Sequence, residues 1–348
     1  TTNLPTPTIA DGSDYFDTTL YTGNGANSRT ISGLGFSPDF LWVKDRGNTA
    51  GDFSNRLMDA VRGAGIALST NSTAAERDNS AQSGGGVETF TSDGFTIEQG
   101  TSNNNNQNNN NSAYVAWAWD AGSSTASNTN GSITSQVRAS QTAGISILTY
   151  TGDGSGTDTI GHGLADAPSL VITKSRGTTG SWRVFTDVGG TWKLGNLNNT
   201  DAFVNATVSA PTSSVFSIDG NSNASTTHIA YCFAPVAGYS AFGSYTGNGS
   251  SDGPFVHTGF RPALIITKRT DSSGGWVLWD TARNISNVAT EELYPDDPSA
   301  EYTGGGIDIL SNGFKLRNSS AHENNSGASY IYWAVAENPF QANGGLAR

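Results

Sequence analysis

One cysteine in 348 residues excludes an internal disulfide, so stability has to come from cores and interfaces. Cys232 sits in an alternating apolar stretch with no basic neighbour, which reads as a small buried hydrophobe rather than a nucleophile. Charge is scarce as well: Asp, Glu, Lys and Arg make up 14% of the chain, against a usual share of about 25%. The charge that is present leans acidic, with 30 Asp and Glu against 18 Lys and Arg, a formal net charge of −12. That balance argues against a nucleic-acid groove, which needs clustered cations, and against an anionic lipid surface. No apolar run approaches the ~20 residues of a membrane span, and helical periodicity is nearly absent. No charged-then-apolar leader opens the chain, so the protein is expected to be cytoplasmic or released by lysis.

What is abundant is Gly, Asn, Ser and Thr, and a phrase written three times. Tyr21-Thr22-Gly23-Asn24-Gly25, Tyr150-Thr151-Gly152-Asp153-Gly154 and Tyr245-Thr246-Gly247-Asn248-Gly249 each open a matching series of segments. An apolar run ending in Lys follows in every copy: Phe40 to Lys44, Leu170 to Lys174 and Leu264 to Lys268, with Arg46, Arg176 and Arg269 close behind. Each copy closes on an aromatic stretch, Tyr114 to Trp119, His228 to Phe233 and Tyr330 to Val335. Short runs rich in Val, Ile, Phe, Trp and Tyr between Gly, Asn, Asp and Ser predict strands and turns. The Asn/Asp-Gly pairs predict tight hairpins. The expected fold is all-β: three tandem antiparallel β-sandwich domains of jelly-roll-like type, over 1–122, 143–236 and 237–348, with a polar linker over 123–142. Within that linker Ile133 and Val137 are placed to add an edge strand.

Candidate chemistry is sparse. His162, His228, His257 and His322 are scattered, and none has a Cys or carboxylate at metal-ligand spacing. The Asp153 and Asp252 turns offer oxygen ligands but lack EF-hand spacing, so neither a metal nor a cofactor is expected. Glu88, Asp93 and Glu98 crowd the first copy without a counterpart in the second, and no Gly-x-Ser-x-Gly elbow precedes a helix. No catalytic residues are therefore assigned. The recurring Lys-Arg pair reads as a strand-end ion pair with Asp59 or Asp280 of the neighbouring strand. Trp182, Trp192 and Trp276 read first as rings lining the sandwich cores or domain interfaces, with stacking on a sugar as the alternative, and the Asn tract with Asn105 and Asn108 reads as a solvated loop, with a ligand-facing tip as the alternative.

These phrases, from Tyr21 through Arg46, Asp59 to Gly63, Ser92 to Phe95, Ala139 to Tyr150, Gly243 to Arg269 and Ala336 to Phe340, resemble a repeat-domain family of uncharacterised function. That family is found in virion proteins of marine bacteriophages, especially phages of cyanobacteria and other ocean bacteria. The resemblance implies a structural or adhesive virion component on the particle exterior, a capsid decoration, a fibre or a tail-associated protein. It brings no catalytic residues. The expected partners are other virion proteins and further copies of the chain, a trimer being the favoured homo-oligomer; neither nucleic acid nor membrane is among them. The alternative is an adhesin for a glycan of the host surface.

Overall fold

The computed structural model describes residues 8–47, 54–79, 85–99 and 107–338. Each repeat folds as an antiparallel sandwich of two sheets, called large and small after the first two modules; in the third both have four strands. In all three, the large sheet places the strand carrying the repeated Tyr beside the closing aromatic strand, then the Lys-ended strand, then its hairpin partner. In the first module these are Phe16–Thr22, Ala113–Trp119, Phe40–Asp45 and Arg56–Asp59. The second uses Ile145–Thr151, Thr227–Phe233, Leu170–Ser175 and Arg183–Val188, and the third Ser240–Thr246, Ser329–Ala336, Pro262–Arg269 and Trp276–Asp280. The small sheets have three, two and four strands.

The Lys-ended strands are apolar without alternation because both of their faces are covered. Leu41 and Val43 face the first sandwich interior, Val171 the second and Ile265 the third. The alternate residues Phe40, Trp42, Leu170, Ile172, Leu264 and Ile266 face the other way, into one core shared by all three modules. Rings from different modules meet there: Phe40 lies 4.9 Å from Tyr231, and Trp333 lies 4.4 Å from Phe233 and 5.7 Å from Trp119. The modules are therefore packed around a common centre, and they are joined cyclically.

Equivalent positions build each joint. Trp182 donates its indole N–H to Ser69 O of the first module at 2.8 Å, and Trp276 donates to Asn196 O of the second at 2.9 Å. Asn55, the matching residue of the first module, donates its amide to Tyr294 O and Asp297 O of the third at 3.0 Å each. The Lys side chains reach across the same joints, Lys44 Nζ to Pro298 O at 2.9 Å, Lys174 Nζ to Thr73 O at 3.3 Å and Lys268 Nζ to Asp201 O at 3.0 Å. Arg46 grips Glu301, and Arg176 grips Glu76, each through two hydrogen bonds. The expected pairing of these cations with Asp59 and Asp280 does not occur. Those carboxylates are taken by Arg62 and Arg283, three residues further on and 2.6 Å away, because the tight turn after each strand folds the guanidinium back. Asp59 then accepts from Tyr231 of the second module, and Asp280 from Trp117 of the first.

Two other expectations change. Residues 123–142 are not a linker: Thr125–Asn128 and Ser135–Ser140 form a hairpin that extends the second large sheet to eight strands. Their polar composition reflects an edge position, with Val137 turned into the second core. The repeated phrase does not close a hairpin either, since it carries the chain from the large sheet to the small one.

Candidate functional site

Of the residues named above as possible ligand contacts, the structure places Trp182, Trp276 and Asn108 in the frame of the protein. Trp182 is fully buried and Trp276 nearly so, both in the joints just described. Trp192 is half-buried and packs against the second core. Asn105 lies outside the described residues. Asn108 is buried, and it locks the first repeated turn: it accepts from Asn24 N at 3.0 Å and donates to Asn24 Oδ1 and Ala26 O. Asn223 and Asn324 do the same for Asp153 and Asn248. The Tyr of each phrase adds a bond to the carbonyl just before that Asn, at Gln107, Ser222 and Glu323. The first Gly is required by close approach, since a Cβ on Gly23, Gly152 or Gly247 would lie 2.0–2.3 Å from a backbone oxygen. The second has φ of +68°, +80° and +68°, the left-handed region that favours glycine. The shared features of the copies are thus spent on folding.

Chemistry distinctive of one copy appears where the copies differ, and two such places stand out. In the second module a cleft of about 300 Å³ opens among Thr173, Lys174, Arg183, Asn221, Ser222 and His228. Its origin is a change of side-chain size. Ser222 occupies the position of Gln107 and Glu323, and His228 that of Tyr114 and Tyr330. In the first module Gln107 stands at this position, its Oε1 accepting from Val87 N at 3.0 Å. Ser222 instead hydrogen-bonds the Thr173 hydroxyl at 2.9 Å, and His228 stacks on Tyr150 and meets Ala224 O through Nε2. Burial holds the His228 ring below its ordinary pKa and pushes Lys174 down to about 8. Arg183 pairs with Asp219 through Nη2, while its buried Nε has no hydrogen-bond partner. None of the residues lining the cleft is acidic.

The second place is a buried carboxyl pair in the third module. Glu292 and Glu323 are 1% and 2% exposed, and each keeps a buried oxygen without a partner. Glu292 lies beside Trp279, as the pairing of Leu278 with Leu293 dictates, and accepts from the Tyr294 hydroxyl at 3.1 Å. Burial, then the charge of Glu323, raises the Glu292 carboxyl to about 8. The first module has Ala67 and Gln107 at these two positions, and the second Leu194 and Ser222.

Sequence reasoning assigned neither place. The signal was present for the cleft, since aligning the closing strands sets His228 against two tyrosines. It was weaker for Glu292, whose strand is short and irregular. Among the described residues no group of three or more His, Cys, Asp or Glu is arranged to hold a metal ion. No helix of the described residues is long and apolar enough to cross a membrane. Cys232 is buried, and burial pushes its thiol well up, away from the reactive thiolate.

The chain belongs to a family described as a domain of unknown function (DUF7483), whose model matches residues 11–339 and so spans all three modules. No curated protein and no solved structure matches it.

Proposed function

We propose, from a family without an assigned activity and from the closed three-module arrangement, that the chain is a non-catalytic structural protein of a bacteriophage virion. It would be assembled in the host cytoplasm with other virion proteins and exposed on the particle, as a capsid decoration, a fibre or a tail-associated component. The observation that carries this reading is the cyclic joint. Side chains that an active site would use, such as Lys174, Arg176, Trp182 and Asp59, are bonded instead to a neighbouring module. A chain that commits its cations, rings and carboxylates to holding three equivalent sandwiches together is built for permanence. The arrangement also presents three equivalent units around one centre, which suits a threefold environment on a particle.

Mass spectrometry of purified particles of the encoding phage, followed by cryo-electron microscopy, tests the proposal. The expected result is the intact chain at stoichiometric abundance; its absence from particles while abundant in the lysate would sink the idea. Homo-oligomerisation, with a trimer favoured, belongs to the same proposal, and a single monomeric species in sedimentation at micromolar concentration would remove it. For adhesion to a host glycan, the tryptophan platform shrinks to the half-buried Trp192, because Trp182 and Trp276 are buried. What remains to support it is the cleft of the second module.

A further inference from the structure

We propose that the second-module cleft binds the oxyanion group of a small hydroxylated ligand, a carboxylate- or sulfate-bearing sugar unit. The inference concerns the cleft alone, so it stands or falls separately from a place in the virion. Three observations carry it. The cleft, about 300 Å³, lies where two side chains, Ser222 and His228, are smaller than their counterparts in the other copies. That volume is at the small end of ligand pockets, roughly 300–1,000 Å³, and suits one sugar unit better than a peptide. Next, its wall supplies donors and no carboxylate. The Arg183 guanidinium, paired with Asp219 through Nη2, lines the wall, Asn221 stands exposed at the rim, and Thr178, Thr179 and Ser181 add hydroxyls. Lys174 Nζ is bonded to Thr73 O and Ser175 O, so the donors this carboxylate-free wall offers a ligand are the Arg183 guanidinium, the Asn221 amide and the hydroxyls, a set that suits an oxyanion.

Finally, an open aromatic platform and carboxylate acceptors, which would favour a neutral sugar, are not in the cleft's lining. The one aromatic ring lining the cleft, His228, has a face covered by Tyr150, with ring centroids 5.1 Å apart and planes 10° from parallel. Sugar hydroxyls also need acceptors, and carboxylates are the acceptors this wall lacks. An oxyanion uses what is there: the guanidinium edge, the amide and the hydroxyls, with the ligand's own hydroxyls meeting Ser and Thr.

Calorimetric titration of the full chain with glucuronate, inorganic sulfate and glucose tests this, with the Arg183 Nε–H resonance followed in parallel. Saturable binding of glucuronate that shifts this resonance, with glucose inert, is the expected result. Binding of sulfate with no response to glucuronate also supports an oxyanion site and identifies a free anion as its source. Glucose binding as tightly as glucuronate, or no saturable binding of either anion, overturns the proposal. The double substitution Ser222→Gln with His228→Tyr installs side chains that the first module already carries, and so fills the cleft with residues the fold accepts. It is expected to weaken anion binding about tenfold or more, and undiminished affinity in a variant of unchanged melting temperature would overturn the assignment. Asn221→Ala, at the exposed rim, provides a second variant that leaves the core untouched. Its expected effect is a several-fold loss, and unchanged affinity for every anion that binds the unaltered chain counts against the site.

Discussion

Asn108, Asn223 and Asn324 show how much one buried amide can organise. Each uses its oxygen and its NH₂ to close the turn that carries the chain between sheets, and Asn324 serves Asn248, Ser250 and Asn318 at once. Asn324→Ala would remove four hydrogen bonds from this turn, each worth about 0.5–1.5 kcal/mol net. A loss of roughly 2–4 kcal/mol is expected in urea unfolding, seen as a lower midpoint at unchanged slope. The opposite sign is expected at Glu292. Its carboxyl is raised from 4.5 to about 8, so the folded state holds the proton more tightly than the unfolded chain. The contribution is fully present below pH 4.5 and is lost as the pH climbs through 8. Glu292→Gln, which mimics the protonated form, should raise stability by on the order of 2 kcal/mol at pH 9 and leave it nearly unchanged at pH 4. Thermal melts at both values check this, and equal shifts at the two pH values would show that the carboxyl is not titrating in this range.

At the scale of strands, what was legible follows from local pattern. The Lys-ended and closing strands were readable because apolar, aromatic and β-branched runs bounded by turn residues have few other outcomes. The hairpin over 125–140 was only half legible, as an edge strand through Val137, because a strand with one face in water needs only an occasional inward residue. The joints were hidden for a different reason: nothing local marks Trp182 as the partner of Ser69, 113 positions away. Only the superposition of Asn55, Trp182 and Trp276 in the folded chain shows that they do one task. Two substitutions separate that task from simple packing. Trp182→Phe keeps an aromatic ring in the core but removes the indole N–H, leaving the Ser69 carbonyl with its 3.2 Å bond from Ser72 N, for an expected loss of about 1–2 kcal/mol. Trp182→Ala also leaves a cavity in the shared core, for about 3–5 kcal/mol. Chemical denaturation of both variants checks the difference, and a Phe variant as stable as the unaltered chain would reduce the joint to hydrophobic contact.

The whole molecule depends on the core that no single module owns. Each sandwich has an interior of its own, yet the opposite face of each large sheet is equally apolar and is covered only by the other two modules. In the second module Leu170, Ile172, Trp182, Ile229, Tyr231 and Phe233 all point to that centre. Exposing six such side chains costs roughly 1.5–3 kcal/mol each. The sum is comparable to the entire 5–15 kcal/mol that stabilises an ordinary domain. The modules are therefore expected to unfold together, despite their clear boundaries in sequence. Calorimetry of the full chain should show one transition whose calorimetric and van't Hoff enthalpies agree. The excised second module, residues 123–236, should show no sharp transition and should bind a hydrophobic dye. A fragment that melts cooperatively at the temperature of the full chain would mean that the shared core contributes little, and that the three sandwiches are independent units brought together by their joints.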